Sequence, residues 1–219
     1  MVFVIFGNLN FAPGKYDDWQ AAFEPLGDYV WKNESTSTLT YYFGVPPECA
    51  GNMSASNQML AFEMYGKRED LYKTHFHSEA MGNFLKKIPP TMTTGLDLTH
   101  YEDVDGSFLD KPRDSTEAAV IYDSRIKCHP GRREVVVQRL SALARSIELH
   151  LEDTWTFMVL KSLDNDHEVR VFQRYGTWEG LEELESYEPR LKTILDSKDE
   201  IASLEGRAFV PNKKGWLHR

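Results

Sequence analysis

The sequence has little that would mark a secreted, membrane-spanning or nucleic-acid-binding protein. Two cysteines in 219 residues, Cys49 and Cys128, make a poor disulfide framework. A reduced, cytoplasmic setting is the simpler expectation. The apolar run in "MVFVIFGNLN" is only about six residues and follows no basic region. That is too short for a membrane span or a signal segment, so it reads as a strand. Lysine and arginine number 25 against 34 aspartates and glutamates, a net charge of -9, and no long basic run occurs. A phosphate backbone needs a basic surface, so neither nucleic acid nor membrane is expected as a partner. Metal ligands are also short. His75 and His77 lie two residues apart, roughly 200° around a regular helix, and cannot chelate one ion from it. No third and fourth ligand follows at zinc-like spacing, so no metal is expected.

What is present is an ordinary globular balance, 41% hydrophobic and 27% charged, on a length suited to one large domain or two small ones. The chain also repeats itself. An apolar strand followed by Pro-Gly-basic occurs twice, as "VFVIFGNLNFAPGK" and "AAVIYDSRIKCHPGR", pairing Pro13 with Pro130. A second strand, "STLTYYFGV", matches "DTWTFMVLK" and pairs Thr40 with Thr156. A third anchor, "FEMYG" against "FQRYG", pairs Tyr65 with Tyr175. The offset shortens because the first copy carries a longer Gly/Pro/Asn/Ser loop, "PPECAGNMSASNQ".

Periodicity fills in the rest. Val136, Leu140, Leu143 and Ile147 repeat at 4-3-4 spacing on an amphipathic helix, and Trp19, Phe23, Leu26 and Val30 follow the same rhythm. Pro25 predicts a kink or restart in the first copy's helix. A further helical pattern follows each Tyr-Gly, and each copy closes on a strand: "TTGLDLTHYEDV" and "LEGRAFVPNKKGWLHR". The order strand, helix, strand, strand, helix, strand is a split β-α-β, ferredoxin-like unit. The expected boundaries are 1–104 and 118–219, with a polar linker at 105–117. One such unit leaves one sheet face bare. In the second strands, Leu39, Tyr41 and Phe43 oppose Tyr42, while Trp155, Phe157 and Val159 oppose Met158 and Leu160, so both faces are apolar. The expectation is an α+β fold in which two tandem ferredoxin-like units pack their antiparallel sheets face to face.

The first copy resembles the antibiotic biosynthesis monooxygenase (ABM) family of dimeric α+β barrels. The matching features are the strand before "PGK", the "STLTYYFG" strand, "FEMYG" and "LYKTHFHSEAMGNF". The second copy resembles it less closely, through "HPGRREVVVQRL" and "FQRYGTWEGLEEL". Family members usually pair as dimers, and this chain looks like both halves fused into an intrachain barrel; further homodimerisation stays open. The family includes cofactor-independent oxygenases of phenolic polyketides, haem-degrading enzymes, isomerases and members without known activity, and fold alone does not choose among them.

The resemblance puts a ligand cavity between helices and sheet in the first copy. His75, four residues after Leu71, would face it and could serve as general base towards an enol or phenol. The bland alternative is a half-buried histidine bonded to backbone. Trp31, Tyr41, Tyr65 and Phe84 are candidate walls for a flat aromatic substrate, or simply core. Glu63 shares the parity of Tyr65; inward, it could orient His75, and outward it would be solvated. Asn8 matters because haem-degrading relatives have a first-strand asparagine. Their tryptophan before the histidine is missing, since 72–74 read Tyr-Lys-Thr. In the second copy Glu185 falls where His75 falls and Pro189 interrupts the helix, so that half is expected to be a fixed scaffold. His77 and His150 are expected to be structural or solvated. The expected activity is cofactor-free monooxygenation of an aromatic or polyketide-like secondary metabolite, with dioxygen as co-substrate. A non-oxidative cyclase or isomerase is the rival enzyme, and a non-catalytic ligand-binding or stress-associated protein is the rival from another class.

Overall fold

The computed structural model describes residues 1–110, 117–187 and 189–218. The expected linker falls partly outside them. Two compact units emerge: residues 1–100 with the tail from Asn212, and residues 101–211.

In the first unit β1 (Phe3–Asn10), α1 (Tyr16–Asn33), β2 (Thr38–Val45) and β3 (Gln58–Tyr65) come first. A π-helical turn over Asp70–His75, α2 (Glu79–Lys87) and β4 (Leu98–Asp103) follow. The strands run in the order β4-β1-β3-β2, and β1 and β2 both pair antiparallel with β3. The second unit repeats this with β5 (Val120–Cys128), α3 (Arg133–His150), β6 (Thr154–Ser162) and β7 (Glu168–Tyr175). It ends with α4 (Trp178–Tyr187), α5 (Pro189–Leu195) and β8 (Ile201–Pro211). Its order is β8-β5-β7-β6.

The repeat holds to the residue. Phe3 faces Tyr65 across the sheet as Val120 faces Tyr175. Both second strands shift register just inside their start, between Thr38 and Thr40 and between Thr154 and Thr156. The turns after Pro13 and Pro130 both need φ > 0, at Gly14 (69°) and Gly131 (74°), where only glycine is free of a Cβ penalty.

Three expectations change. Helix α1 runs unbroken over Tyr16–Asn33 with Pro25 inside it. The single helix expected after Tyr65 is instead two pieces. A π-turn ends at His75, and Ser78 then caps α2, its hydroxyl donating to the His75 carbonyl and accepting from the Met81 N–H. The unit ends are also exchanged. Tyr101, Glu102 and Asp103, expected to close the first copy, pair with Ser162, Lys161 and Leu160 of the second unit. The tail from Asn212, expected to close the second copy, belongs to the first unit. Tyr41 and Trp216 exchange backbone hydrogen bonds, and the Asn212 N–H donates to the Phe43 carbonyl. Gly215 permits this approach, because a Cβ there would collide with the Tyr41 carbonyl. Within 105–110, Phe108 is buried and bridges Phe157, so the start of the linker is packed.

Candidate active site

The helix-facing side of the first unit's sheet carries Ile5, Tyr41, Phe43, Ala61 and Glu63, and α1, the π-turn and α2 lie over it. Most of that space is filled by aromatic packing: Trp19 stacks on Phe23, and Phe84 meets Trp19 edge-on. At the end of the π-turn the packing turns polar. His75 is fully buried. Its Nδ1 lies 2.8 Å from Oε2 of Glu34, which also accepts from the Thr38 hydroxyl at 2.8 Å. Glu34 is the residue that ends α1 and is itself 2% exposed.

A carboxylate can only accept, so it fixes the tautomer: Nδ1–H donates to Glu34 and Nε2 keeps its lone pair. That lone pair faces the Tyr41 hydroxyl at 3.3 Å. Trp216 of the tail packs on the Tyr41 ring, 5.5 Å between centroids. Glu63 stands on the neighbouring strand, directly across from Tyr41, and Tyr65 donates to its Oε2 at 2.6 Å. Tyr41, Glu63 and His75 line one cavity with Trp19, Met81 and Phe84. Its volume is about 30 Å³. That is room for a molecule or two of water or dioxygen, but not for a ring.

Burial pushes the Glu63 carboxyl up to about 7, with Glu34 adding to the rise while His75 and the Tyr65 bond hold it down. Burial likewise raises the Tyr41 and Tyr65 phenols well above their usual range, and the Glu63 and Glu34 carboxylates push the same way. Both phenols therefore stay protonated as donors at neutral pH. Glu63 gives a measurable consequence. A carboxyl raised from 4.5 to about 7 on folding stabilises the protein fully below pH 4.5, and that contribution is lost as pH rises through 7. Urea unfolding of Glu63→Gln should therefore lose less stability than the parent between pH 5 and 8. The difference should be on the order of 3 kcal/mol. Parallel pH curves for the two proteins would refute it.

The expected site residues separate cleanly. Tyr41, Glu63, His75 and Phe84 share the cavity wall, and Tyr65 supports Glu63 from the side. Trp31 does not join them: it is 48% exposed and meets Trp216 edge-on, because it lies on the outer face of α1. Asn8 points away as well, its Nδ2 donating to Asp97. His77 is exposed, and its Nδ1–H donates to the Tyr72 carbonyl. Glu34 was missed. A glutamate after a helix usually reads as solvated, and only its strand neighbour Thr38 and the distant His75 make it a buried acceptor. Trp216 was missed for the same reason, being 175 residues from Tyr41 in the chain. Among the described residues no group of three or more histidines, cysteines or carboxylates could hold a metal ion.

The second unit shows what the fold can do without these groups. Leu151 ends α3 where Glu34 ends α1. Phe157 stands across from Gln173 as Tyr41 stands across from Glu63. The tyrosine bond alone survives, Tyr175 donating to Gln173. The second unit also has a cavity between helices and sheet, at about 330 Å³ larger than the one beside His75.

Neither a protein-family model nor a curated protein matches the sequence. Solved structures do. A monooxygenase candidate from Fusobacterium nucleatum subsp. nucleatum superposes with a TM-score of 0.78 at 14% identity, over 100% of this chain and 97% of its own. A second monooxygenase candidate, from Lactobacillus acidophilus, gives 0.75 at 12% identity over 99% and 95%. An anthrone oxidase-like protein gives 0.62 at 11% identity over 96% and 91%. At these identities the likeness shows the fold alone: the chain has the α+β fold of these structures. No helix among the described residues is long and apolar enough to cross a membrane.

Proposed function

We propose that the first unit is a cofactor-independent monooxygenase site for a phenolic or enolisable aromatic metabolite, with His75 as general base. The observation that carries this reading is the buried Glu34–His75 pair, which leaves Nε2 as a lone-pair base on the wall of an apolar cavity. Glu34 fixes the ring by accepting from Nδ1–H. Tyr41 occupies the place of a substrate hydroxyl, and Glu63, poised near neutral, can pass a proton on. The concerted replacement of Glu34, Tyr41 and Glu63 by Leu151, Phe157 and Gln173 in the second unit supports a chemical role, because the fold forms without them.

In the proposed step His75 Nε2 removes a proton from an activated ring methylene. The carbanion gives one electron to dioxygen, and the resulting radical pair joins as a peroxide. Loss of water then gives the ketone, so one methylene and one O₂ yield one carbonyl and one water. The small cavity suits dioxygen. A ring must displace Phe84 and Met81, which belong to the short helix α2 behind the π-turn.

The test is oxygen stoichiometry with a panel of anthrones and hydroxynaphthalenes. One O₂ should be consumed per ketone formed, with ¹⁸O from O₂ in the product. Turnover at the same rate without oxygen would overturn oxygenation and favour a cyclase or isomerase. A folded protein that converts none of the panel would favour a binding-only role.

A further inference from the structure

The cavity of the second unit lies between the sheet and helices α4 and α5. Its apolar wall is made by Leu181, Leu184, Leu191, Leu195 and Leu204. Two buried polar groups reach it from the strands, Ser124 of β5 and Gln173 of β7, each 4% exposed. Gln173 uses its carbonyl oxygen to accept from Tyr175, which leaves the Nε2 donors for the cavity. Ser124 has no side-chain hydrogen bond among the described residues. It stands across the ladder from Val171, two residues along from the Tyr122–Gln173 pair, so the hydroxyl and the amide lie on the same sheet face as near neighbours.

Buried hydroxyls and amides are nearly always satisfied. Leaving two such donors towards a leucine-walled space costs free energy unless something accepts from them. The ionisable wall residues are the half-buried Tyr122 and the exposed Lys192 and Asp196. A volume of about 330 Å³ falls in the range of small-ligand pockets. We propose that the second unit is a binding site for a neutral, largely apolar small molecule with a carbonyl or hydroxyl oxygen, which Ser124 and Gln173 recognise. This proposal stands whether or not the first unit oxygenates anything.

The probe is prodan, a neutral naphthalene ketone whose emission shifts on entering an apolar site with a donor. The intact protein should bind one prodan with a saturable blue shift. His75→Ala in the other unit should leave the dissociation constant unchanged. Ser124→Leu, which fills the space and removes a donor, should weaken binding at least about thirtyfold, and Ser124→Ala about threefold to tenfold. If Ser124→Leu fails to fold by circular dichroism, the alanine variant and a crystal soaked with prodan decide. Density for the ketone within hydrogen-bond reach of Ser124 or Gln173 supports the site. No saturable binding by the intact protein, or affinities unmoved in a folded Ser124 variant, overturns it.

Discussion

Alanine at position 75 is expected to lower turnover of the oxygenated substrate by about 10²–10⁴-fold, the span that a positioned general base supplies. His75 has no role in closing a strand or capping a helix; its two nitrogens go to Glu34 and Tyr41. The loss should fall on kcat, with KM little changed, because the base acts on the proton rather than on the ring. His75→Gln keeps volume and a donor towards Glu34, so it guards against a mere cavity effect and should be equally inactive. Glu34→Gln is the sharper companion. Glu34 touches no substrate and works by positioning: with an amide partner the imidazole loses its fixed tautomer. Its kcat should fall about 10²-fold with KM little changed. A merely structural role would show instead as lost stability in urea. Full turnover in a folded His75→Ala protein would remove His75 from the chemistry.

That pair also marks where the sequence stops being legible. The repeat, the element order and the inward position of His75 follow from period-2 and period-3.6 patterns, which are local. Glu34 is invisible to them: its partner is 41 residues away, and nothing in "KNEST" separates a buried carboxylate from a solvated one. The π-turn at Asp70–His75 is hidden in the same way, since its apolar spacing also fits an α-helix. Trp31 misled because it looked like one more aromatic near the site, when α1 places it outward. The exchanged ends are the deeper case. β4 and the tail from Asn212 both have the composition of edge strands, and composition does not say which edge they cover. The sequence left the second cavity open because Glu185 and Pro189 drew attention to the helix, while the polar groups on its wall, Ser124 and Gln173, sit on strands.

The largest stability effect is expected at Asp123. In the second unit the sheet face away from the helices buries an ion pair. Arg170 donates from Nε and Nη2 to the two Asp123 oxygens at 2.6 and 2.7 Å, and the arginine is fully buried. Burial alone would lower the arginine's affinity for its proton, but Asp123 more than restores it and the pKa stands above its usual value. The guanidinium also lies 5.5 Å from the centre of the Tyr101 ring, whose hydroxyl donates to Glu168. Asp123→Ala therefore removes the bidentate acceptor of a buried cation, and urea unfolding should show a loss of about 3–5 kcal/mol. The repeat supplies its own control. Asp123 sits opposite Phe172 as Phe6 sits opposite Phe62, and Arg170, two residues before Phe172, matches Leu60, two before Phe62. The first unit thus builds the same diagonal from Phe6 and Leu60. Moving that apolar pair into the second unit, as Asp123→Phe with Arg170→Leu, should recover most of the loss, because a buried ion pair and a packed apolar pair of similar volume differ little in net stability. A single variant within about 1 kcal/mol of the parent would show that Arg170 is held by its other contacts. A double variant as unstable as the single would show that this face needs the charge pair itself, and that the two copies have diverged in how they are held together as well as in what they bind.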